Sequence, residues 1–333
     1  LVGILLVANI FNIGADLAAM GAAARLVAGG NEHVFVIAFA LICALLQLFV
    51  PYGKYAKLLK WLTLSLFAYI AVVLLVNVDW PAAIRGLVWP TRLDRNALLT
   101  IVAIFGTTLS PYLFFWQSSQ EAEEVATSPG QWPLKRRPRS AAKQFRRIRN
   151  DTLLGMALSH TVAVAIIIAT AATLHAQGIS NIQTAADAAE ALRPIAGKFA
   201  SVLFAIGIIG TGLLAIPVLA GSAAFAVSEV RGWREGLELT PFQASGFYSI
   251  IVLATLTGVL LDWSGIDPIK ALFWAAVLNG VAAVPIMVAM MLVASRPAIM
   301  GRFTERLPLL SFGWVATAVM AAASLAMLVS VVT

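Results

Sequence analysis

Residues 97–124 read ALLTIVAIFGTTLSPYLFFWQSSQEAEE, an apolar span that interrupts its own helix near the midpoint. Gly106, Thr107, Thr108, Ser110 and Pro111 fall together there, a glycine, three hydroxyls and a proline where an unbroken membrane helix would carry aliphatic side chains. Pro111 has no N–H to give the carbonyl four residues back, that of Thr107, and its ring clashes with that turn. A carbonyl released in hydrocarbon is costly, so irregular backbone survives only where it is buried in protein or lines a wet cavity. Two readings follow. One is a proline kink whose freed carbonyl is satisfied by a neighbouring Ser or Thr. The other is a discontinuous helix of the kind that holds ions with backbone oxygens near the bilayer midplane.

The chain around this stretch has the composition of a membrane protein. Of its 333 residues 60% are hydrophobic and 12% charged, more apolar surface than a soluble core can use, which points to a polytopic all-α membrane protein. The net charge of +7 sits mainly in loops, a pattern of membrane topology rather than of nucleic-acid binding. The single Cys43 offers neither an intrachain disulfide nor a metal cluster. The chain opens at Leu1 inside a hydrophobic run, without an initiator Met or a cleavable signal, and is expected to be truncated at its N-terminus.

About nine stretches have membrane-crossing length, at about 1–27, 32–51, 56–78, 97–124 (broken), 151–174, 198–226, 241–261, 268–294 and 309–332. Placing the loop after the second span inside collects 16 of the 23 lysines and arginines on one face: Lys54, Lys57 and Lys60, the eight from Lys135 to Arg149, Arg231 and Arg234, and Arg296, Arg302 and Arg306. By the positive-inside rule that face is cytoplasmic, and the C-terminus lies outside. Residues 128–150, SPGQWPLKRRPRSAAKQFRRIRN, form the longest polar loop, expected to set topology and to contact anionic lipid headgroups. A short surface helix is expected around Ala185 to Leu192. Gly207, Gly210, Gly212 and Pro217 in the sixth span point to close helix packing and a kink rather than to a nucleotide motif.

The stretch GTTLSPYLFFWQSSQEAEE, together with NIGADLAAMGAAARL at 12–26, resembles the Nramp (natural-resistance-associated macrophage protein) family of divalent-metal transporters, in its branch of Nramp-related magnesium transporters. The resemblance implies the LeuT-like inverted-repeat transporter fold, with nine of about eleven helices present. It makes 1–333 one transmembrane domain: 1–78 a remnant of the first repeat (helices 3–5), 97–294 the second repeat (helices 6–10), and 309–332 an extra helix 11. The first broken helix of the family, with the Asp and Asn that bind the ion, has no counterpart in this chain.

Carried over residue by residue, the resemblance implies that Thr107 offers its backbone carbonyl to the metal. Ser110 stands where other members have a methionine, and Tyr112 where they have a histidine. Loss of a thioether favours hard Mg²⁺, which takes oxygen ligands and keeps several waters. Thr107, Thr108 and Ser110 offer hydroxyls to such waters, and Asn279 is a further candidate ligand, as against a structural Asn bonding a neighbouring helix. Gln117 and Glu121 are candidates for the cytoplasmic exit, as against a solvated helix end. Asp16 matches the family's proton-route aspartate, but Ala19 replaces the glutamate three residues on and the seventh span lacks arginine, so weak or absent proton coupling is expected. His160 is read as a helix-contact histidine rather than a proton relay.

The function implied is alternating-access transport of a divalent cation, Mg²⁺ first with Mn²⁺ tolerated, by a monomer in the bacterial inner membrane. Its partners would be the metal and the lipid bilayer, with no nucleic acid and no cofactor beyond the transported ion. The alternatives are an amino-acid permease on the same fold and a non-transporting fragment acting as a membrane interaction module. An enzyme is disfavoured, since none of His33, His160 and His175 has a catalytic partner at helical spacing.

Overall fold

The computed structural model describes residues 1–50, 54, 57, 60–88, 94–127, 141–179, 182, 184–305 and 307–332, and all regular structure among them is helical. In chain order the α-helices are α1 (Val2–Ala28), α2 (Glu32–Phe49), α3 (Ala68–Leu75), α4 (Trp80–Val88), α5 (Arg95–Thr108), α6 (Pro111–Thr127) and α7 (Ala141–Thr173). They are followed by α8 (Ala185–Glu190), α9 (Arg193–Ala196), α10 (Ala200–Arg231), α11 (Ser245–Asp262), α12 (Pro268–Ala294), α13 (Pro297–Met300) and α14 (Leu307–Val332). Among the described residues eight helical segments are long and apolar enough to cross a membrane, α5 and α6 counting as one.

The ninth expected span, 56–78, lies partly outside the described residues. Within it the described residues give a 3₁₀ stretch, Leu62–Phe67, running into the short α3. These six residues at about 2.0 Å each and eight at about 1.5 Å reach about 24 Å by themselves. The hydroxyls of Thr63 and Ser65 donate to carbonyls three residues back, Lys60 at 2.6 Å and Leu62 at 2.8 Å, local bonding that competes with the α-helical ladder.

Three further boundaries differ. Residues 128–140 of the polar segment lie outside the described residues, as do Arg92 and Arg306, but α7 begins at Ala141, ten residues ahead of the expected span. Trp80–Val88 is helical where no element was expected. The helix near 185–192 is present as α8, opened by a capping box in which Thr184 and Asp187 each accept from the other's backbone N–H. It does not lie loosely on the surface, because Ala189, Ala191 and Leu192 are buried in an apolar cluster with Tyr69, Val72, Ala169 and Phe204.

The chain forms two compact units. One contains residues 1–8, 92–142 and 273–333; the other contains 9–91 and 143–272. In the second unit α10 is the central helix, nearly continuously buried from Ile216 to Ala226. Its glycines allow close approach: a Cβ on Gly210 would meet Leu62 Cβ at 2.4 Å, one on Gly212 the Met20 sulfur at 2.3 Å, and one on Gly207 the Ser65 hydroxyl at 3.1 Å. The close packing expected at these positions is therefore present. On α1, a Cβ at Gly14 would sit 2.9 Å from the Gly258 carbonyl of α11.

Candidate functional site

In the first unit the chain passes from α5 to α6 through two residues. Asp94 opens α5 by accepting the Ala97 N–H at 2.9 Å, and the helix runs to Thr108. At Leu109 the backbone leaves helical geometry (φ −113°, ψ 47°) while its N–H still reaches the Phe105 carbonyl at 2.7 Å. Ser110 is the hinge residue, and Pro111, pre-set at helical φ and with no N–H to satisfy, starts α6. The break expected at 106–111 is thus present, at Leu109 and Ser110.

The Thr107 carbonyl is not left bare, and here the structure refines the sequence reading. The Ser110 hydroxyl donates to the Gly106 carbonyl at 2.9 Å and, in the longer arm of a shared bond, to the Thr107 carbonyl at 3.2 Å. Thr107 Oγ1 donates to Ile104 O at 2.8 Å, and Thr108 Oγ1 to Ile104 O and Phe105 O at 3.0 and 3.1 Å. Each hydroxyl thus spends its one proton on its own helix. What remains on these oxygens is lone pairs, which can accept from water or face a cation. Ser110 is 3% exposed, whereas the Thr107 side chain is exposed and that of Thr108 half-buried.

The break is held by α12 and α14 of the same unit. A Cβ on Gly106 would fall 1.9 Å from the Ala276 carbonyl and 2.5 Å from the Gly280 nitrogen, and one on Gly280 would fall 2.6 Å from the Val102 carbonyl. Backbone lies directly on backbone there. Leu99, Val102 and Ala103 pack with Ala276, Val277 and Met327 on one side; Leu109, Phe105 and Phe114 pack against Ala283, Met287 and Met320 on the other. The turn of α12 that meets Gly106 carries Asn279, which is 3% exposed and has a polar partner of its own.

Gln117 and Glu121 lie on α6 beyond the break, the first exposed and the second half-buried, and both are engaged in contacts. On the same helix Gln120 donates to Glu123 at 3.4 Å. Asp16 belongs to the second unit, on α1. His160 is exposed and shares a 2.7 Å hydrogen bond with the Met156 carbonyl of its own helix, so it contacts no other helix through that nitrogen. Among the described residues no three His, Cys, Asp or Glu side chains converge as a metal site. Oxygen from hydroxyls and backbone is the donor set at the break.

Two polar pairings were missed in the sequence. Asn9, fully buried, donates to the Leu219 carbonyl at 2.9 Å and to the Ser222 hydroxyl at 2.7 Å, tying α1 to α10. His33 at the start of α2 pairs with Asp262 at the end of α11. An Asn seven residues before Asp16 in an apolar span was a visible cue for the first; nothing local marked the second.

A multi-pass integral membrane protein organised around a discontinuous, hydroxyl-rich helix is the class this architecture defines. Over residues 1–330 the chain matches the family described as natural resistance-associated macrophage protein-like, and it belongs to that family, whose fold is LeuT-like. Similar proteins include those named divalent metal cation transporter MntH from Burkholderia ambifaria (27% identical over 257 residues, 75% of this chain and 53% of that protein) and Acidiphilium cryptum (26% over 249 residues, 72% and 51%). A third, of the same name, is from Vibrio campbellii (29% over 216 residues, 62% of this chain and 47% of that protein). The chain spans about half the length of these curated relatives. The family is one of transporters, not of enzymes.

Proposed function

We propose that the chain takes part in moving a divalent cation across the membrane, with Mg²⁺ preferred and Mn²⁺ tolerated, by alternating access around the break between α5 and α6. The observation that carries this reading is the donor set at Leu109 and Ser110: hydroxyl and carbonyl oxygens, a buried Ser where a thioether would select softer ions, and hydroxyl protons already committed to the helix. Hard ions that keep part of their water suit such oxygens. Family membership and relatives named for divalent-cation transport support the substrate class.

In this reading Thr107 and Ser110, with Asn279 on the facing turn of α12, form the ion site; Thr108, Gln117, Glu121 and Asp16 belong to the pathway. Residues 1–78 correspond to part of the first repeat and 97–294 to the second, with 309–332 added. The basic loops face the cytoplasm of a bacterial cell, and the working unit is a monomer. Coupling to protons is weak or absent, since Ala19 stands where a carboxylate would relay them. Competition uptake of Mg²⁺ and Mn²⁺ into proteoliposomes containing the intact protein tests the reading. Saturable Mg²⁺ uptake reduced by Ser110→Ala supports it. Uptake that prefers Mn²⁺ as strongly as a thioether site would, or that ignores Ser110, contradicts it.

A further inference from the structure

The helix α7 is longer than a bilayer core requires, and the excess is basic. Its 33 residues extend about 50 Å, against about 30 Å of hydrocarbon. From Thr152 to Thr173 it carries no Asp, Glu, Lys or Arg, and these residues suffice to cross. The residues ahead of them, 141–151, carry Lys143, Arg146, Arg147 and Arg149 against the single carboxylate of Asp151. At about 100° per residue the four fall within an arc of about 160°, roughly opposite Ala141, Phe145 and Ile148. The segment is therefore amphipathic and directly continuous with the membrane-spanning part.

Two observations say what meets this basic face. Lys143, Arg146 and Arg149 are exposed, and none of the three is in an ion pair with another described residue. Every residue from Asp151 to Thr161 is exposed as well, including Leu153 at 62% and Leu154 at 70%. With no described residue covering it, this part of the stem is open to lipid chains immediately beside the collar. From Thr152 the helix rises about 5 Å to Arg149, 9 Å to Arg146 and 13 Å to Lys143. Arg149 lies within a headgroup layer of about 5–7 Å, and Arg146 and Lys143 reach back to it through their long stems.

We propose that the first ten residues of α7 form a collar that binds anionic phospholipid headgroups, with Lys143, Arg146 and Arg149 pairing with their phosphates. Arginine suits this role because its planar guanidinium meets phosphate oxygens with two parallel N–H donors.

The test uses the full chain, purified in mild detergent and presented with equal amounts of phosphatidylglycerol and phosphatidylcholine, bound lipid being counted by native mass spectrometry. Each basic residue contributes about five-fold to attraction by an anionic surface. The chain is therefore expected to retain phosphatidylglycerol in preference, and Lys143→Gln/Arg146→Gln/Arg149→Gln to reduce that preference on the order of 100-fold. Arg146→Lys/Arg149→Lys should retain most of it, which separates charge from misfolding. A control, Arg25→Gln/Arg85→Gln/Lys198→Gln, should leave it unchanged. Excess inorganic phosphate should not displace the lipid. Equal retention of both lipids, an equal loss in the control, or displacement by inorganic phosphate would each overturn the proposal, the last by showing a site for free anions.

Discussion

Replacing Gly106 by alanine perturbs the candidate site by one methyl group, and the structure fixes how much room that methyl has. The new Cβ would lie 1.9 Å from the Ala276 carbonyl oxygen and 2.5 Å from the Gly280 nitrogen, where real Cβ contacts essentially never fall below 3.0 Å. Both obstacles are backbone, so no side chain can swing away. Opening the gap from 1.9 to 3.0 Å displaces α5 from α12 by about 1.1 Å. Gly280 faces α5 just as closely, since a Cβ added there would fall 2.6 Å from the Val102 carbonyl. Overpacking of this kind costs about 1–3 kcal/mol, with backbone obstacles toward the upper end. At about 2 °C per kcal/mol for a chain of this size, the apparent Tm should fall by about 2–6 °C. Fluorescence-detected size-exclusion chromatography after heating reads this directly. Gly155→Ala is the matched control: a Cβ there meets nothing within 4 Å inside α7, so the change should be neutral or stabilising by about 0.5–1 kcal/mol. A Gly106→Ala protein that melts with the parent chain would refute the helix contact on which the site geometry rests.

Other expectations concern ion choice, protons and the second unit. Ser110→Met should move preference from Mg²⁺ toward Mn²⁺ by adding a soft ligand and removing the donor that serves Gly106 and Thr107, as read by competition uptake; an unchanged ratio would remove Ser110 from selectivity. Metal uptake should proceed without stoichiometric acidification of the liposome interior, measured with a trapped pH dye, and stoichiometric acidification would show another proton path. Asn9→Leu should destabilise by about 1 kcal/mol through loss of its two bonds to α10, lowering the apparent Tm slightly; a rise would mean that apolar packing outweighs them. Thr184→Ala should cost about 1 kcal/mol of local stability at α8, visible as faster hydrogen exchange at residues 185–190.

The break was legible because proline chemistry is local: a missing N–H at Pro111 names the Thr107 carbonyl without any tertiary information. Which group would satisfy that carbonyl was left open, since both a neighbouring hydroxyl and an ion site fit the same residues. Ser110 supplies the hydroxyl, and its oxygen lone pairs keep the second use open. The long spans were readable from hydropathy alone, and α12 runs from Pro268 to Ala294 as its pattern predicts. Hydropathy at 56–78 did not reveal the 3₁₀ run at 62–67, because it does not distinguish an α-helix from a turn ladder whose Thr and Ser bond three residues back. The start of α7 was hidden by charge: AAKQFRRIRN reads as loop by polarity, yet its Ala, Lys, Gln and Arg are good helix formers. The contact of Gly106 with Ala276 and Gly280 joins positions some 170 residues apart, and no local pattern announces which helix a glycine will meet.

The central claim is that a divalent cation visits the break between α5 and α6. Anomalous diffraction from crystals of the intact protein soaked in Mn²⁺, at an energy where manganese scatters anomalously, tests it most directly. The account expects one peak at the break, either about 2.0–2.2 Å from the Thr107 carbonyl oxygen or Ser110 Oγ, or about 4 Å away with a water between, and expects excess Mg²⁺ to abolish it. A peak elsewhere in the chain, with none at Thr107 and Ser110, or a peak at the break that excess Mg²⁺ leaves in place, would contradict it.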